Sequence, residues 1–349
     1  MSDRELIERQ RILSEIIGVS GYENLVREFI EKELEDINLD LKVDGMGNLL
    51  VTRKAQQTGG KRVLLDAHMD EIGFMVNHIY DNGYLGFATI GGWDNRTLAG
   101  SRVVMETSKG KLYGTISSKP PHITSSAERE KSPQIPDLFV DIGCSSSEEI
   151  AERGIRIGTV FTLDGPFLEL SSGVLLGKAF DDRTGCNIII QVLKDLKGKD
   201  LNHEIVVNFA VQEEVGLRGA RTGTFTLNPD LALAIENTVA ADMPGVKESM
   251  MPTKFNDGPA ISVADNSVLC APWIVELLEK AAKTAGVPYQ FKKPTFGGTD
   301  AGAINQARGG VPVGVLSVPS KYIHGANSMI RAEDLLNMVK IVKKFLELL

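Results

Sequence analysis

Short apolar runs alternate with amphipathic segments over much of the 349-residue chain, and this alternation limits the possible folds more than any other feature. Apolar residues recur at helical spacing between residues 6 and 37, which predicts two amphipathic helices. Residues 63–67 form a short apolar run of the kind found in strands that are buried on both faces. The alternation is typical of an α/β protein, in which a sheet lies between layers of helices.

The same alternation returns after residue 178. It predicts strands at residues 205–211, 231–235, 260–263 and 311–318, and helices at residues 184–196, 272–285, 300–307 and 333–349. Because the two ends of the chain share this pattern, we expect them to build one α/β domain around a common sheet.

The middle of the chain has a different sequence pattern. Glycine is frequent there, and turn signals such as residues 81–83 separate short alternating segments. A short helix is expected only near residues 147–153. We therefore predict a small β domain inserted into the α/β domain. The predicted boundaries are residues 1–71 and 166–349 for the two parts of the α/β domain and residues 72–165 for the inserted domain.

The composition argues against several classes of partner. A net charge of -8 disfavours a broad binding surface for nucleic acid or anionic membranes. No apolar run approaches the ~20 residues that span a bilayer, and the N-terminal residues lack the pattern of a secretory signal, so we expect a cytoplasmic protein. The cysteines, Cys144, Cys186 and Cys270, are too scattered for a disulfide framework and are expected to be small core residues.

Residues of the types that bind metals occur at or just past the ends of predicted strands. They are His68, Asp181 and Asp182, Glu213 and Glu214, Glu236, and His324. In open α/β sheets, ligands bind at the carboxyl ends of the strands, so residues far apart in the sequence can converge there. A set of two histidines and four acids suits a pair of cations such as Zn²⁺ or Co²⁺, with Mn²⁺ as a further candidate.

Two of these motifs have a local rationale. Asp70 lies two residues after His68 in an extended segment, so its carboxylate can accept the second imidazole N–H. Glu213 and Glu214 follow a buried strand, where two adjacent carboxylates need a positive partner. A divalent cation would bind one of them and leave the other free as a base.

Other polar residues have less definite roles. Asp181 and Asp182 precede an apolar helix, and the pattern predicts that one caps the helix while the other bridges two cations, without saying which. Arg218 and Asp300 either line the substrate pocket or pair with other charges, and we favour the pairing. The remaining histidines do not belong to a motif with carboxylates of the kind seen at His68 and are expected to be structural: His78, His122 and His203.

Five motifs together resemble those of the dinuclear-metal aminopeptidases of the tetrahedral aminopeptidase family, which includes glutamyl aminopeptidases. They are residues 68–70, 177–183, 213–220, 297–301 and 322–324, and the resemblance spans nearly the whole chain. It implies two metal sites that share Asp182. His68 and Glu236 complete the first site, and Glu214 and His324 complete the second.

The same resemblance implies a fold and a function. The fold is that of two-metal exopeptidases, a mixed sheet flanked by helices, with an inserted small β-barrel-like domain. Glu213 would be the general base. Asp70, which can fix the tautomer of His68, is the second residue that we predict to take part in catalysis. The enzyme would remove N-terminal residues from short peptides, and the inserted domain would form dimers that assemble into a dodecamer.

Two positions depart from the family pattern. Glu236 stands where the family usually has Asp, and Gly325 and Ala326 follow His324 where the family often has Ser and Pro. In similar two-metal exopeptidases a Glu at this position tends to accompany carboxypeptidases and deacylases, so such an enzyme is the main alternative. A two-carboxylate glycosidase fits the two histidines less well. A non-catalytic metal-binding assembly protein would have no use for Glu213.

Overall fold

The computed structural model describes residues 3–55, 59–126, 130–293 and 297–349. Eight α-helices are assigned in this part of the chain. They are α1 (Asp3–Glu15), α2 (Asn24–Leu34), α3 (Ser147–Glu152), α4 (Phe180–Asp195), α5 (Arg218–Leu227), α6 (Pro272–Ala285), α7 (Ala301–Asn305) and α8 (Ala332–Leu348).

Eight strands form the central sheet. They are β1 (Asp40–Val43), β2 (Leu49–Arg53), β3 (Arg62–His68), β12 (Glu204–Ala210), β13 (Leu231–Val239), β14 (Ala260–Ser262), β15 (Gln290–Lys292) and β16 (Val313–Ser320). The spatial order is β1-β2-β12-β3-β13-β16-β14-β15, and β12, β3, β13 and β16 run parallel to one another. The carboxyl ends of these four central strands therefore meet at one edge.

The remaining strands form two smaller sheets. They are β4 (Gly73–Ile79), β5 (Tyr84–Ile90), β6 (Arg102–Thr107), β7 (Gly110–Ser118), β8 (Leu138–Asp141), β9 (Val160–Leu163), β10 (Leu168–Glu169), β11 (Val174–Gly177) and β17 (Ser328–Arg331). Strands β4 to β9 close into a barrel in the order β4-β5-β8-β7-β6-β9, and β10, β11 and β17 form a three-stranded antiparallel sheet. The predicted fold class, a mixed sheet flanked by helices with an inserted barrel, is confirmed. The domain boundaries stay a prediction.

Alternation along β3 explains why helices cover both faces of the sheet. Val63 and Leu65 point into the larger core, which also contains buried residues of α1, α2, α4 and α8. Leu64 points to the opposite face, where it joins a second core with residues of α5 and α7. The apolar run in the sequence thus corresponds to a strand that is buried on both sides.

The barrel has its own aromatic core beside the carboxyl end of β3. Phe74 stacks on Trp93 and Phe161, with ring centroids 4.4 and 5.1 Å apart. The first barrel strand begins at Gly73, shortly after His68, so the chain passes from the sheet edge directly into the barrel.

Helix α5 was not predicted from the sequence. Strands β12 and β13 are both parallel to β3, so the chain between them has to cross back over the sheet, and α5 provides this crossover. The helix contains two glycines and three threonines, which have low helix propensity, and this explains why the pattern did not reveal it.

Two of the cysteines are buried as expected, but Cys144 is only partly buried, next to the barrel core. The prediction that all three are core residues is therefore wrong for Cys144. No helix in the described ranges is long and apolar enough to cross a membrane.

Candidate active site

The ligand-type residues predicted from the sequence meet at the carboxyl edge of the central sheet. Ligand atoms of His68, Asp182 and Glu236 lie within 4.8 Å of one another, and so do those of His68, Asp181 and Glu214. His324 joins the second group, because its Nε2 atom lies 3.2 Å from Glu214 Oε1. Strand ends of β3, β12 and β16, a residue within β13 and the first turn of α4 supply these side chains.

Both histidines present the same ring nitrogen to the acids. His68 Nδ1 is 3.1 Å from the backbone carbonyl oxygen of Asp70 and 3.4 Å from its Oδ1. His324 Nδ1 is 3.1 Å from the backbone carbonyl oxygen of Gly92, a residue of the barrel. An N–H at Nδ1 that donates to these oxygens leaves Nε2 as the free lone pair on each ring.

Asp181 lies between the two imidazoles. Its Oδ1 is 3.3 Å from His68 Nε2, and its Oδ2 is 3.3 Å from His324 Nε2. Asp182 instead accepts the amide of Gly185 at 3.1 Å, as an acid that caps a helix does, and the amide of His68 at 3.3 Å. The geometry thus gives the position between the two rings to Asp181, whereas the resemblance implied it for Asp182.

Two buried carboxylates hold three consecutive backbone amides after β12. The amides of Glu213 and Glu214 donate to Asp70 Oδ1 and Oδ2, at 3.0 and 3.2 Å. The amide of Gln212 donates to Glu23, which is 189 positions away in the chain, at 3.1 Å. No motif in the sequence pointed to Glu23, because its role depends on this long-range contact.

Burial raises the proton affinity of the acids in the site. It raises the pKa of Glu236 to about 8, although His68 opposes the shift. Burial also raises the pKa of Glu213 well above its usual range; His68 again opposes this, while Glu236 and Glu214 add to it. The pKa of Glu214 is raised in the same way, against the opposing effect of His324. The acids therefore repel one another and favour a nearby positive charge.

The pKa values of both histidines are raised, so that their rings can carry the positive charge that the acids favour. Burial disfavours the charged form of His324, but Asp181 and Glu214 outweigh it and raise its pKa to about 11. Burial likewise disfavours the charged form of His68, yet Glu213 and the other nearby carboxylates raise its pKa well above the usual range. For Asp181 burial alone would raise the pKa, but hydrogen bonds from the two histidines lower it.

The donor set fits divalent cations. Imidazole nitrogen and carboxylate oxygen are common ligands of Zn²⁺ and suit Co²⁺ and Mn²⁺ as well. The free Nε2 atoms face carboxylates that already stabilise positive charge, and divalent cations would bring that charge in place of the imidazole protons.

Strained backbone surrounds the same groups. Ala179, Gln212 and His324 have φ angles of 53°, 56° and 61°. A non-glycine residue in this left-handed region costs on the order of 1 kcal/mol or more and is frequent at functional sites. Ala179 lies two residues before Asp181, Gln212 lies directly before Glu213, and His324 is itself part of the site. Each strained residue therefore positions a side chain of the site or contributes one.

A second pair of buried acids supports Glu236 from behind. The amide of Asp300 donates to Glu236 Oε1 at 3.1 Å, and Asn208 donates to Asp66 Oδ2 at 2.7 Å. Both carboxylate oxygens of Asp300 and Oδ1 of Asp66 are buried and have no hydrogen-bond partner among the described residues. Burial raises the pKa of Asp66 to about 6 and that of Asp300 well above its usual range. In the described part of the chain neither Asp300 oxygen pairs with an opposite charge, so the pairing favoured from the sequence is not seen there.

The other residues considered from the sequence lie outside both ligand groups. His78 and His122 are exposed. His203 is half-buried and accepts the amide of Lys61 on Nδ1 at 3.0 Å. Arg218 is exposed at the start of α5. Their structural interpretation stays a prediction.

A cleft of about 560 Å³ opens beside the site. Asp181 and His324 form part of its wall, together with residues of β13 and β15 and of the loops that follow β13 and precede α7. A substrate that lies in this cleft is therefore in contact with the group of acids and histidines.

The comparison with known families gives this geometry a context. The M42 glutamyl aminopeptidase model matches residues 47–341. The chain belongs to this family. The resemblance seen in the sequence motifs is thereby confirmed, and membership makes the chain an aminopeptidase, a hydrolase of the exopeptidase class.

Two curated relatives match almost end to end. A lysyl aminopeptidase of Pyrococcus furiosus is 35% identical over 350 residues, with 99% of this chain and 97% of the relative covered. A glutamyl aminopeptidase of Lactococcus lactis is 31% identical over 335 residues, with 95% and 93% covered. Their names refer to side chains of opposite charge, so similarity at this level does not fix the preferred N-terminal residue.

A solved structure supports the same assignment. The TET1 peptidase of Pyrococcus horikoshii, described as able to assemble into a tetrahedron or a large octahedral shell, superposes on this chain with a TM-score of 0.85. Its sequence identity is 34%, and the match covers 97% of this chain and 98% of the other. The barrel and the sheet thus have counterparts in a TET peptidase.

Proposed function

We propose that this chain is a two-metal aminopeptidase that removes N-terminal residues from short peptides. The observation that carries the proposal is the Asp181 carboxylate, whose two oxygens each lie 3.3 Å from the Nε2 atom of a different histidine. A carboxylate in this position can bridge two cations, which is the arrangement used by two-metal aminopeptidases.

Two sets of residues would hold the cations. The first is His68, Asp181 and Glu236, and the second is Asp181, Glu214 and His324. These sets keep the other ligands implied by the resemblance and move the bridge from Asp182 to Asp181. Two bound ions per chain, Zn²⁺ or Co²⁺ with Mn²⁺ as a further candidate, would supply Lewis acidity toward a water and the scissile carbonyl group.

Glu213 is the proposed general base. Its Oε2 atom lies 3.9 Å from His68 Nε2, so the carboxylate stands beside the ligands. Burial raises its pKa, which suits a group that takes a proton from water and then passes it to the leaving amine near neutral pH. Asp70 acts as a positioning residue, because it contacts His68 and accepts the amides of Glu213 and Glu214.

The proposed site would also prefer a free N-terminus. The free α-amino group of a peptide would sit on one of the two metal ions or on a nearby carboxylate. Acetylation would remove both its basic lone pair and its charge. Recognition of this group would restrict cleavage to the first peptide bond.

We also propose that the chain associates with itself through the barrel and forms dimers that build a dodecamer. Supporting this are the tetrahedral assembly described for the related TET1 peptidase and several large apolar side chains exposed in the barrel region. Light scattering would then give about twelve times the chain mass of 37.9 kDa. A cytoplasmic location stays a prediction.

The function is tested with protein stripped by a chelator and reloaded with Zn²⁺, Co²⁺ or Mn²⁺. The substrates are short peptides, each with a free and an acetylated N-terminus. We expect metal-dependent release of the first residue from the free peptides only. Glu213→Gln should abolish turnover while the metal content, measured by mass spectrometry, stays at two ions per chain.

A deacylase or carboxypeptidase on the same metals is the second candidate, favoured by Glu236 in the ligand group. Metal-dependent cleavage of the acetylated peptides, or release of the C-terminal residue, would support it over the aminopeptidase. Turnover that survives complete metal removal would contradict both.

A further inference from the structure

Two buried cations flank the short segment that carries Asp181 and Asp182. Lys178 precedes this segment and Arg183 follows it, and both contact the carboxylate of Glu71. Lys178 Nζ lies 2.7 and 2.8 Å from the two oxygens of Glu71, and Arg183 Nη2 lies 3.7 Å from Glu71 Oε1. All three residues are at most 4% exposed, and together they form the ion cluster. One buried carboxylate thus contacts both ends of the segment.

The same carboxylate reaches the barrel and the N-terminal part of the chain. The hydroxyl of Thr162, in barrel strand β9, donates to Glu71 Oε2 at 3.1 Å. The amide of Gly18 donates to Glu71 Oε1 at 3.2 Å, and the amide of Glu71 donates to the carbonyl oxygen of Gly18 at 3.0 Å. Glu71 is therefore the point at which the barrel, the N-terminal segment and the start of α4 meet.

Arg183 fixes the start of α4 from the other side of the segment. Its Nη1 donates to the carbonyl oxygens of Leu13 and Ile16 at 2.8 and 3.2 Å. Its Nε donates to the carbonyl oxygen of Met69, the residue directly after His68. Because the guanidinium group is planar and its donors have fixed directions, these contacts restrict the orientation of the first turn of α4.

A small cavity lies next to the ion cluster. Its volume is about 20 Å³, which is enough for one water molecule. Residues of the ion cluster and of the candidate active site both line it, including Glu71, Thr162, Lys178, Asp181, Glu214 and His324. The ion cluster therefore borders the same space as the ligands proposed for the second ion.

We propose that Glu71 is a positioning residue for the Asp181 carboxylate. Its contacts with the two cations fix both ends of the segment that carries Asp181, and its contact with Thr162 connects this segment to the barrel. Removal of one partner from a buried ion pair leaves the other charge uncompensated, so the segment should move when Glu71 loses its charge. The effect on turnover rests on the proposed function, whereas the position of the segment does not.

Three variants separate this role from general stability. Glu71→Gln keeps the size of the side chain and removes the charge that faces both cations. Thr162→Val is milder, because it removes only the hydroxyl that connects the barrel. Arg9→Met is the matched control: Arg9 is also a buried cation, and it donates to Asn187 and Gln191 further along α4 at 2.6 and 2.8 Å.

Hydrogen exchange of the metal-free protein, followed by mass spectrometry, reports on the segment without metal or turnover. The amides of Arg183 and Gly185 are hydrogen-bonded to Ala179 and Asp182. In Glu71→Gln the amides of residues 179–185 should exchange about tenfold faster than in wild type, while those later in α4 change little. Arg9→Met should leave the exchange of the segment unchanged.

Turnover with saturating Zn²⁺ is the second readout. In Glu71→Gln kcat per folded molecule should fall about tenfold, and in Thr162→Val by a smaller factor. KM should change little, because the walls of the cleft stay in place. Arg9→Met should retain the kcat of wild type, which a loss caused by lower stability alone would not allow.

The two readouts fail separately. A wild-type protein that cleaves no peptide counts against the proposed function alone, since hydrogen exchange still reports on the segment. Unchanged exchange of the segment in folded Glu71→Gln, or exchange that rises equally along all of α4, would overturn the inference. So would wild-type kcat in this variant. If Glu71→Gln does not fold, Thr162→Val is judged by the same criteria.

Discussion

The two histidines of the site are held in different ways, His68 by the central sheet and His324 by a contact with the barrel. His68 ends a central strand, is 1% exposed, and contacts Asp70, which also holds the amide of Glu213. His324 lies in a loop, is 34% exposed, and depends on the backbone carbonyl of Gly92 in the barrel. The part of the site around His68, the sheet half, is held by strand ends within one core. The part around His324, the barrel half, is held by a contact between a loop of the sheet and the barrel.

Asp181 joins the two halves, so its loss should have the largest effect. Asp181→Asn removes the charge that faces both histidines, and we expect kcat/KM to fall by about 10³-fold and the metal content to drop below two ions per chain. Asp182→Asn is the comparison variant: its amide oxygen can still accept the amide of Gly185, but its NH2 group cannot accept the amide of His68, so we expect a smaller loss than in Asp181→Asn. Equal losses in the two variants would remove the distinction between these neighbours.

Asp70→Asn should have the second largest effect on activity, through the sheet half of the site. The substitution removes the negative charge beside His68, and substitutions of residues that orient a metal ligand typically lower activity about 10- to 100-fold. The rate constants measured with saturating Zn²⁺ should recover only part of the loss, because the amides of Glu213 and Glu214 also lose their charged acceptor. Full recovery with added metal would limit Asp70 to orienting His68.

Trp93→Ala tests the barrel half. Trp93 Nε1 donates to the carbonyl of Gly73 at 3.0 Å, and its ring stacks on Phe74, so it fixes the segment that carries Gly92. We expect a loss of about 3 kcal/mol in unfolding free energy and a smaller, roughly tenfold, fall in activity. Trp93→Phe should retain much of the stability. Unchanged kcat/KM in the folded fraction of Trp93→Ala would contradict this, because it would show that the position of His324 does not depend on the barrel.

Glu23→Gln should have the smallest effect on activity but a clear effect of pH on stability. Burial, and then the charge of Asp70, raise the pKa of Glu23 to about 7. Because the folded pKa lies above the unfolded value, the stability from this group is fully present below about pH 4.5 and is lost as pH rises through 7. Between pH 5 and 8 the unfolding free energy of the variant, measured in urea, should rise by on the order of 2 kcal/mol relative to that of wild type. A difference that does not change with pH would contradict this.

Much of the fold and the sheet half could be predicted from the sequence because strand patterns are local. The run that ends at His68 and the strand before Glu213 identify the edge where ligands meet, since parallel strands deliver their carboxyl ends together. The choice between Asp181 and Asp182 could not be made locally, because it depends on which carboxylate turns toward His324.

The other residues missed were those defined by contacts across the fold. Glu23 reaches Gln212 from the N-terminal segment, and Gly92 reaches His324 from the barrel through a backbone atom that any residue has. None of these contacts leaves a periodic or spaced pattern in the sequence.

Anomalous diffraction from crystals of the zinc-loaded protein would locate the proposed cations. We expect two zinc peaks on either side of the Asp181 carboxylate, one next to His68 and Glu236 and the other next to His324 and Glu214. A single zinc peak, or two peaks joined by Asp182, would contradict this arrangement.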